Sequence, residues 1–361
     1  MKVIYDSYIF TEQKYGGISR YFFELIKKFN NKGIQASAPL LFSNNHYISD
    51  GKFVKHYKFL PNKTIKGKQR LLFLINRIAF IFFLKVKDFD IIHPTYYDVY
   101  YLKLVENKKL ILTVYDMIHE KFYDDEVSRR KQILCERADL IIAISENTKK
   151  DLIEIFNIQE SKIRVVYLAS SLIKNSVVKS FPSLPQKYLL FVGHRGLYKN
   201  FERFVVAISK ILNENNDLFV ICAGGNNFED SEIKLFKKFS IEERFIQLNI
   251  DDDTISSLYK NALLFVFPSL YEGFGIPLLE AFSCGCPVAC SNASSFPEIA
   301  LDGAVYFDPE DVDSIYHCIS QILFDQLKKQ KLVLNAYKRL DYFSWEITAL
   351  ETKKIYNEVL S

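Results

Sequence analysis

Apolar and β-branched residues recur in unbroken runs at Leu110 to Val114, Leu140 to Ile144, Ile163 to Tyr167, Leu189 to Val192, Leu218 to Ala223 and Leu264 to Phe267. Segments with helical spacing separate them. Runs without polar alternation suit strands buried on both faces of a parallel sheet, so the pattern predicts an α/β chain. The opening segment MKVIYDSYIF also reads as a strand, and Tyr21 to Phe29 as a helix. The rhythm breaks between Ser170 and Lys187, where SSLIKNSVVKSFPSLPQK is Ser-rich and carries two prolines. Such a stretch reads as a linker and places a domain boundary near residue 180. A length of 361 residues also exceeds what one hydrophobic core usually fills. The expected division is 1–180, 181–345, and a final helix over 346–361 that crosses back to the first domain.

The segment 66–87, KGKQRLLFLINRIAFIFFLKVK, is apolar from Leu71 to Leu84 apart from Asn76 and Arg77, and is flanked by Lys66, Lys68, Arg70, Lys85 and Lys87. It is shorter than the ~20 residues that cross a bilayer. Two readings stay open. In one, an interfacial helix sets Phe73, Phe80, Phe82 and Phe83 into the acyl boundary while the basic flanks meet anionic head groups, a peripheral membrane contact. In the other, the segment is a core helix with solvated ends.

Composition narrows the class. Hydrophobic residues make up 49% and charged residues 25%, as in folded globular chains, while a net charge of +4 is too small to suggest a nucleic-acid partner. The six cysteines show no paired CxxC spacing, so they read as reduced thiols rather than zinc ligands. No secretory signal is visible at the start, and the expected location is the cytosol.

Three segments carry chemistry. In 268–287, PSLYEGFGIPLLEAFSCGCP, Glu272 and Glu280 flank the turn Gly273-Phe274-Gly275, which enters a helix at Ile276. Glycines allow close backbone approach, and a helix start favours a diphosphate. Glu280, one turn in, can accept from ribose hydroxyls, and Glu272 can contact a transferred sugar; read alone, both could equally be solvated helix charges. In 189–200, LLFVGHRGLYKN, a strand releases Gly193, Arg195, Gly196, Lys199 and Asn200. Arg195 and Lys199 suit a departing diphosphate, Arg as a fork and Lys as a point charge. In 110–122, LILTVYDMIHEKF, a strand end releases Tyr115, Asp116, His119 and Glu120, where parallel sheets bind ligands. His119 is the candidate to touch the sugar or handle a proton, against a structural role. Near the start, Gly16 and Gly17 precede a helix and could offer amides to a phosphate, or simply make a turn.

Taken together, EGFGIPLLE and the following AFSCGCPVACSNASSFPEIALDGAVYFDPED closely resemble the nucleotide-sugar motif of the retaining glycosyltransferases of GT-B fold, the group 1 family. The likeness extends through ADLIIAISENTKKDL, FVGHRGLYKNF, the run Cys222-Ala223-Gly224-Gly225 and the final SWEITALETKKIYNEVL, and before residue 110 through GGISRYFFEL. It implies two Rossmann-like domains facing a cleft that closes about the linker. It also implies that Glu280 holds the ribose, that Glu272 with Gly273, Phe274, Gly275 and Ile276 contacts the sugar and diphosphate, and that Arg195 and Lys199 stabilise the leaving group. Gly17, Asp116, Gly193, Asn200, Gly224, Gly225 and Ile250 complete the expected donor site, with base contacts in the loop Gln247 to Thr254. Where the family often has a His-Asp pair, this chain has Tyr115-Asp116, which leaves open whether His119 takes over.

The resemblance implies transfer with retention, without metal or bound cofactor, the nucleotide-diphosphate sugar being a substrate. The acceptor is expected to be an oligosaccharide or lipid-linked chain of a bacterial surface polysaccharide. Mannose from GDP-mannose is the first choice of donor, with dTDP-rhamnose or a UDP-hexose next. The alternatives are a non-catalytic nucleotide-sugar-binding protein, or an epimerase or phosphorylase of the same fold, which would need dedicated acid/base groups or a cofactor lysine. A dehydrogenase is excluded because no GxGxxG follows the first strand.

Overall fold

A computed structural model of the chain describes residues 1–61, 63, 65–172, 184–249 and 252–361, the side chains of 252 and 253 excepted. The chain divides into two compact units, Met1–Leu168 with Trp345–Ser361, and Ala169–Ser344. The boundary expected near residue 180 falls outside the described residues.

In the first unit, β1 (Lys2–Tyr5), β2 (Gln35–Ser37), β3 (Ile91–His93), β4 (Lys109–Val114), β5 (Leu140–Ala143) and β6 (Ile163–Val165) form one parallel sheet in the order β2-β1-β3-β4-β5-β6. In the second, β7 (Lys187–Val192), β8 (Leu218–Ala223), β9 (Phe245–Leu248), β10 (Leu264–Phe267), β11 (Val288–Ser291) and β12 (Val305–Phe307) run in the order β12-β11-β10-β7-β8-β9, again parallel. The apolar runs read from sequence all lie on these strands, though β5 and β6 stop short of Ile144 and Tyr167. Both sheets are doubly wound. Strand order reverses between β1 and β3 in the first unit and between β7 and β10 in the second, and ligands of such sheets bind outside the carboxyl ends at those points.

The helix Trp345–Leu360 belongs to the first unit. Its Tyr356 sits in a buried polar network, with Tyr356 Oη 2.7 Å from His93 Nδ1 and 3.0 Å from Tyr5 Oη, while His93 Nε2 lies 2.8 Å from Thr113 Oγ1. Burial drives the His93 pKa down to about 3, so the ring stays neutral.

The segment 66–87 forms the helix Lys68–Val86. Leu72, Asn76, Phe80 and Leu84, four apart, face inward, and Leu71, Leu74, Ile78 and Phe82 face out at 50 to 67% exposure. Asn76 clamps the helix down: its Oδ1 accepts from the amides of Leu41 and Phe42, and its Nδ2 donates to Thr11 Oγ1 and Phe42 O. The expected membrane face is therefore corrected. Phe80 is fully buried against Tyr101, Phe73 packs on Tyr8, and Phe83 is half-buried, because helical rotation sets Phe80 on the face of Asn76. Of the four phenylalanines only Phe82 is exposed. No helix among the described residues is long and apolar enough to cross a membrane.

Candidate active site

In the second unit the loops that leave β7 and β10 flank the switch point. The first carries Gly193, Arg195, Lys199 and Asn200, and the second Glu272 to Gly275. Here the structure brings Lys199 and Glu272 together: Lys199 Nζ lies 2.5 Å from Glu272 Oε1, both side chains keeping 13 to 14% exposure. Ser269 Oγ donates to the same carboxylate oxygen at 2.8 Å. The Lys199 ammonium lies 5.3 Å from the rings of Tyr198 and Phe267, and a Cβ on Gly193 would approach it to 4.0 Å. The Glu272 backbone is pinned at both ends, its amide accepted by Ser294 Oγ and its carbonyl receiving Ser295 Oγ. A cation and a carboxylate are thus held, partly in water, at the mouth of a doubly wound sheet.

Behind Glu272 the chain turns through Gly273 and Phe274 to Gly275, whose φ of +94° is left-handed and whose Cβ would come within 3.0 Å of Phe296, so only glycine fits. The helix Ile276–Ser283 starts there with Pro277 in its first turn and no side chain capping it, which leaves its positive end suited to an anion. One turn further, Glu280 is half-buried and its Oε2 accepts from Tyr259 Oη at 3.3 Å.

Two expected donor contacts, Arg195 and Asn200, are placed differently. Arg195 is built into the fold: Nε reaches Glu232 Oε1 at 2.6 Å, Nη2 donates to the carbonyls of Asn226 and Asn227, and the plane lies 4.8 Å from the Phe228 ring. Only its buried Nη1 has no partner, beneath Gly225, where a Cβ would come within 2.9 Å of it. Asn200 is buried, and its Nδ2 donates to the carbonyls of Pro268 and Pro309; it fastens the β7 loop to the β10 loop instead of facing a ligand. Ile250 lies outside the described residues. Gly193 and Gly224 end their strands, their amides bonded to Ala223 O and Leu248 O. Glu232 was not signalled by sequence, since it lies 37 positions from the loop residue Arg195, on the helix Asp230–Lys238.

The remaining candidates belong to the first unit. Gly17 opens the helix Gly17–Asn31, but Gln13 Oε1 already accepts from the Ser19 amide at that end. Asp116 Oδ1 accepts from the Ile118 amide, making a turn. His119 Nδ1 meets Asp125 Oδ2 at 2.9 Å, a carboxylate that fixes the ring. Tyr115 is buried and donates to Thr95 O. The position of the family histidine is filled by a packed tyrosine. Sequence reading also passed over Lys131, fully buried, whose Nζ donates to Glu120 Oε2 at 2.7 Å and to Asp116 O at 2.8 Å and so holds this loop.

Asp6, at the end of β1, accepts from the Tyr8 amide, Thr95 Oγ1 and Tyr101 Oη. Burial raises its pKa to about 6. Between pH 4 and 6 the folded chain therefore holds this proton more than the unfolded chain does, and stability falls as pH rises through that window, by about 3 kcal/mol for two pKa steps. His93 acts in the opposite sense, losing stability as pH falls below about 6.5. In urea unfolding at pH 4.5 and 7, Asp6→Asn is expected to gain on the wild type at pH 7; equal differences at both pH values would contradict this assignment.

No three His, Cys, Asp or Glu side chains cluster as a metal site would need among the described residues. Residues 174–339 match the family described as Glycosyl transferases group 1, and residues 15–169 the Glycosyltransferase Family 4. The chain is 32% identical over 230 residues to O-antigen chain mannosyltransferase B of Escherichia coli, the match spanning 61% of this chain and 60% of the relative. It is 29% identical over 165 residues to an N-acetylgalactosamine-N,N'-diacetylbacillosaminyl-diphospho-undecaprenol 4-alpha-N-acetylgalactosaminyltransferase of Campylobacter jejuni, spanning 45% and 44%. Sucrose-phosphate synthase of Thermosynechococcus elongatus superposes with a TM-score of 0.77 over 100% of this chain and 99% of that one, at 18% identity, which places the fold among GT-B enzymes.

Proposed function

Since the chain belongs to the group 1 glycosyltransferases, we propose that it moves a hexose, mannose from GDP-mannose as first choice, from a nucleotide diphosphate to a lipid-linked saccharide with retention and without metal. The observation that carries the reading is the Lys199–Glu272 pair at the reversal point of the β7–β12 sheet. The mannose choice rests on the E. coli relative, and the lipid-linked acceptor on the Campylobacter one.

In the resting protein Lys199 and Glu272 neutralise one another. An arriving diphosphate draws the ammonium to its oxygens and frees the Glu272 carboxylate to accept from hydroxyls of the sugar. Arg195, whose buried Nη1 has no hydrogen-bond partner, adds fixed positive charge beneath Gly225. As the bond from the anomeric carbon to the phosphate oxygen breaks, negative charge grows on the diphosphate, and preorganised cations stabilise it more than the ground state. The acceptor hydroxyl adds to the same face and gives its proton to the departing phosphate oxygen. No protein nucleophile enters. The outward face of the Lys68–Val86 helix, with its basic ends, brings the enzyme to the membrane that carries the acceptor.

A thermal-shift screen against GDP-, UDP-, dTDP-, ADP- and CMP-sugars, with and without EDTA, tests the donor site, since a ligand of the folded state raises its melting point. Stabilisation by GDP-mannose that survives EDTA is expected. A response that vanishes with EDTA would refute metal independence, and no response to any nucleotide would refute the donor site.

A further inference from the structure

A large depression lies wholly within the first unit. It encloses about 910 Å³ and is lined by Lys14, Lys58, Lys63, Lys68 and Arg70, with Glu12 the one carboxylate among its walls. Lys68 Nζ is occupied by the carbonyls of Leu60 and Lys63. Lys58, Lys63 and Arg70 are exposed and have no carboxylate at ion-pair distance among the described residues. The basin is therefore a concentrated positive surface with little internal neutralisation, suited to a compact polyanion.

Its wall includes Gly67 to Arg70 and Leu72, the start of the helix Lys68–Val86, and the next residue, Leu71, begins the outward apolar row Leu71, Leu74, Ile78 and Phe82. From Leu71 to Phe82 that row runs about 16 Å at the helical rise. A nucleotide or an acidic peptide would use the charges and leave the row uncovered. A diphosphate on a hydrocarbon chain matches both parts in the order in which they lie.

We propose that the basin and the outward helix face form one bipartite site for the lipid carrier of the acceptor. The diphosphate sits among Lys58, Lys63 and Arg70, and the first stretch of chain lies along Leu71, Leu74 and Ile78. This rests on the acceptor being lipid-linked, as argued above. The site fixes the carrier, so it selects acceptors by their anchor as well as by their sugar.

Binding of farnesyl diphosphate, inorganic pyrophosphate and phosphatidylglycerol vesicles to the full chain tests it, with Lys199→Ala as the background that weakens anion binding at the donor site. Farnesyl diphosphate is expected to bind at least tenfold tighter than pyrophosphate. Lys58→Glu with Arg70→Glu, both at exposed positions, should weaken both ligands tenfold or more. Leu74→Asp with Ile78→Asp should bring farnesyl diphosphate down to the pyrophosphate level and leave pyrophosphate unchanged. Unchanged affinity in the charge variant overturns the proposal. So does a pattern in which only vesicle binding responds, which would make the face a general membrane surface. Outside the Lys199→Ala background, the nucleotide thermal shift of the charge variant should equal that of the wild type. If the wild type itself shows no such shift, the donor reading fails while the lipid result stands.

Discussion

Lys199→Ala is expected to lower kcat by about 10²- to 10³-fold at saturating donor, the loss seen when one preorganised charge-stabilising group is removed from a transition state. The ammonium is held where a leaving diphosphate would need it, 2.5 Å from Glu272 and beside the Phe267 ring, at 13% exposure. A cation so placed needs little reorganisation when charge develops, and low water content strengthens its field. Ser269 still donates to Glu272 when the lysine is gone, so the loop should keep its shape. Lys199→Arg should recover only part of the rate, because a planar fork does not reproduce a point charge. Single-turnover rates and melting temperatures of the two variants check this. A kcat within tenfold of wild type for the alanine variant, with the fold intact, would remove Lys199 from the leaving-group role.

What the sequence made legible was local. The runs at 110–114, 189–192, 218–223 and 264–267 announce themselves because strands buried on both faces need unbroken apolar residues. The strands β2, β3, β11 and β12 span only three or four residues, and their pairing, not their periodicity, makes them strands. The same division runs through the site. Glu272, Gly275 and Glu280 stand on one contiguous motif, so their spacing could be read directly. Arg195 read as a free loop cation because its partner, Glu232, lies on a helix distant in sequence, and Asn200 read as a ligand contact because nothing local shows that Pro268 and Pro309 take its amide. Asn76 looked like an interruption of an apolar stretch and is instead the polar clamp that decides which face of its helix is buried. Composition gave the amphipathic segment but not its rotation. That rotation moves the exposed row from Phe80 to Leu74 and Ile78.

Glu280→Ala is expected to weaken nucleotide-sugar binding by about 10²-fold, because charge-assisted hydrogen bonds contribute about 1.5–3 kcal/mol each and the proposed function has the ribose hydroxyls meet this carboxylate. Its place argues for that role. It stands one turn inside the helix whose uncapped start suits an anion, and the buried Tyr259 hydroxyl donates to its Oε2 at 3.3 Å, which orients the carboxylate. Half-burial makes the carboxylate orderly without making it part of the core, so the variant should fold. A donor analogue lacking one ribose hydroxyl separates this role from a general electrostatic one. If Glu280 grips that hydroxyl, removing the carboxylate and removing the hydroxyl delete the same interaction, and the double change should cost little more than either alone. Additive losses in the binding cycle would mean that Glu280 acts on the donor without touching the ribose, and the orientation of the nucleotide along this helix would have to be redrawn.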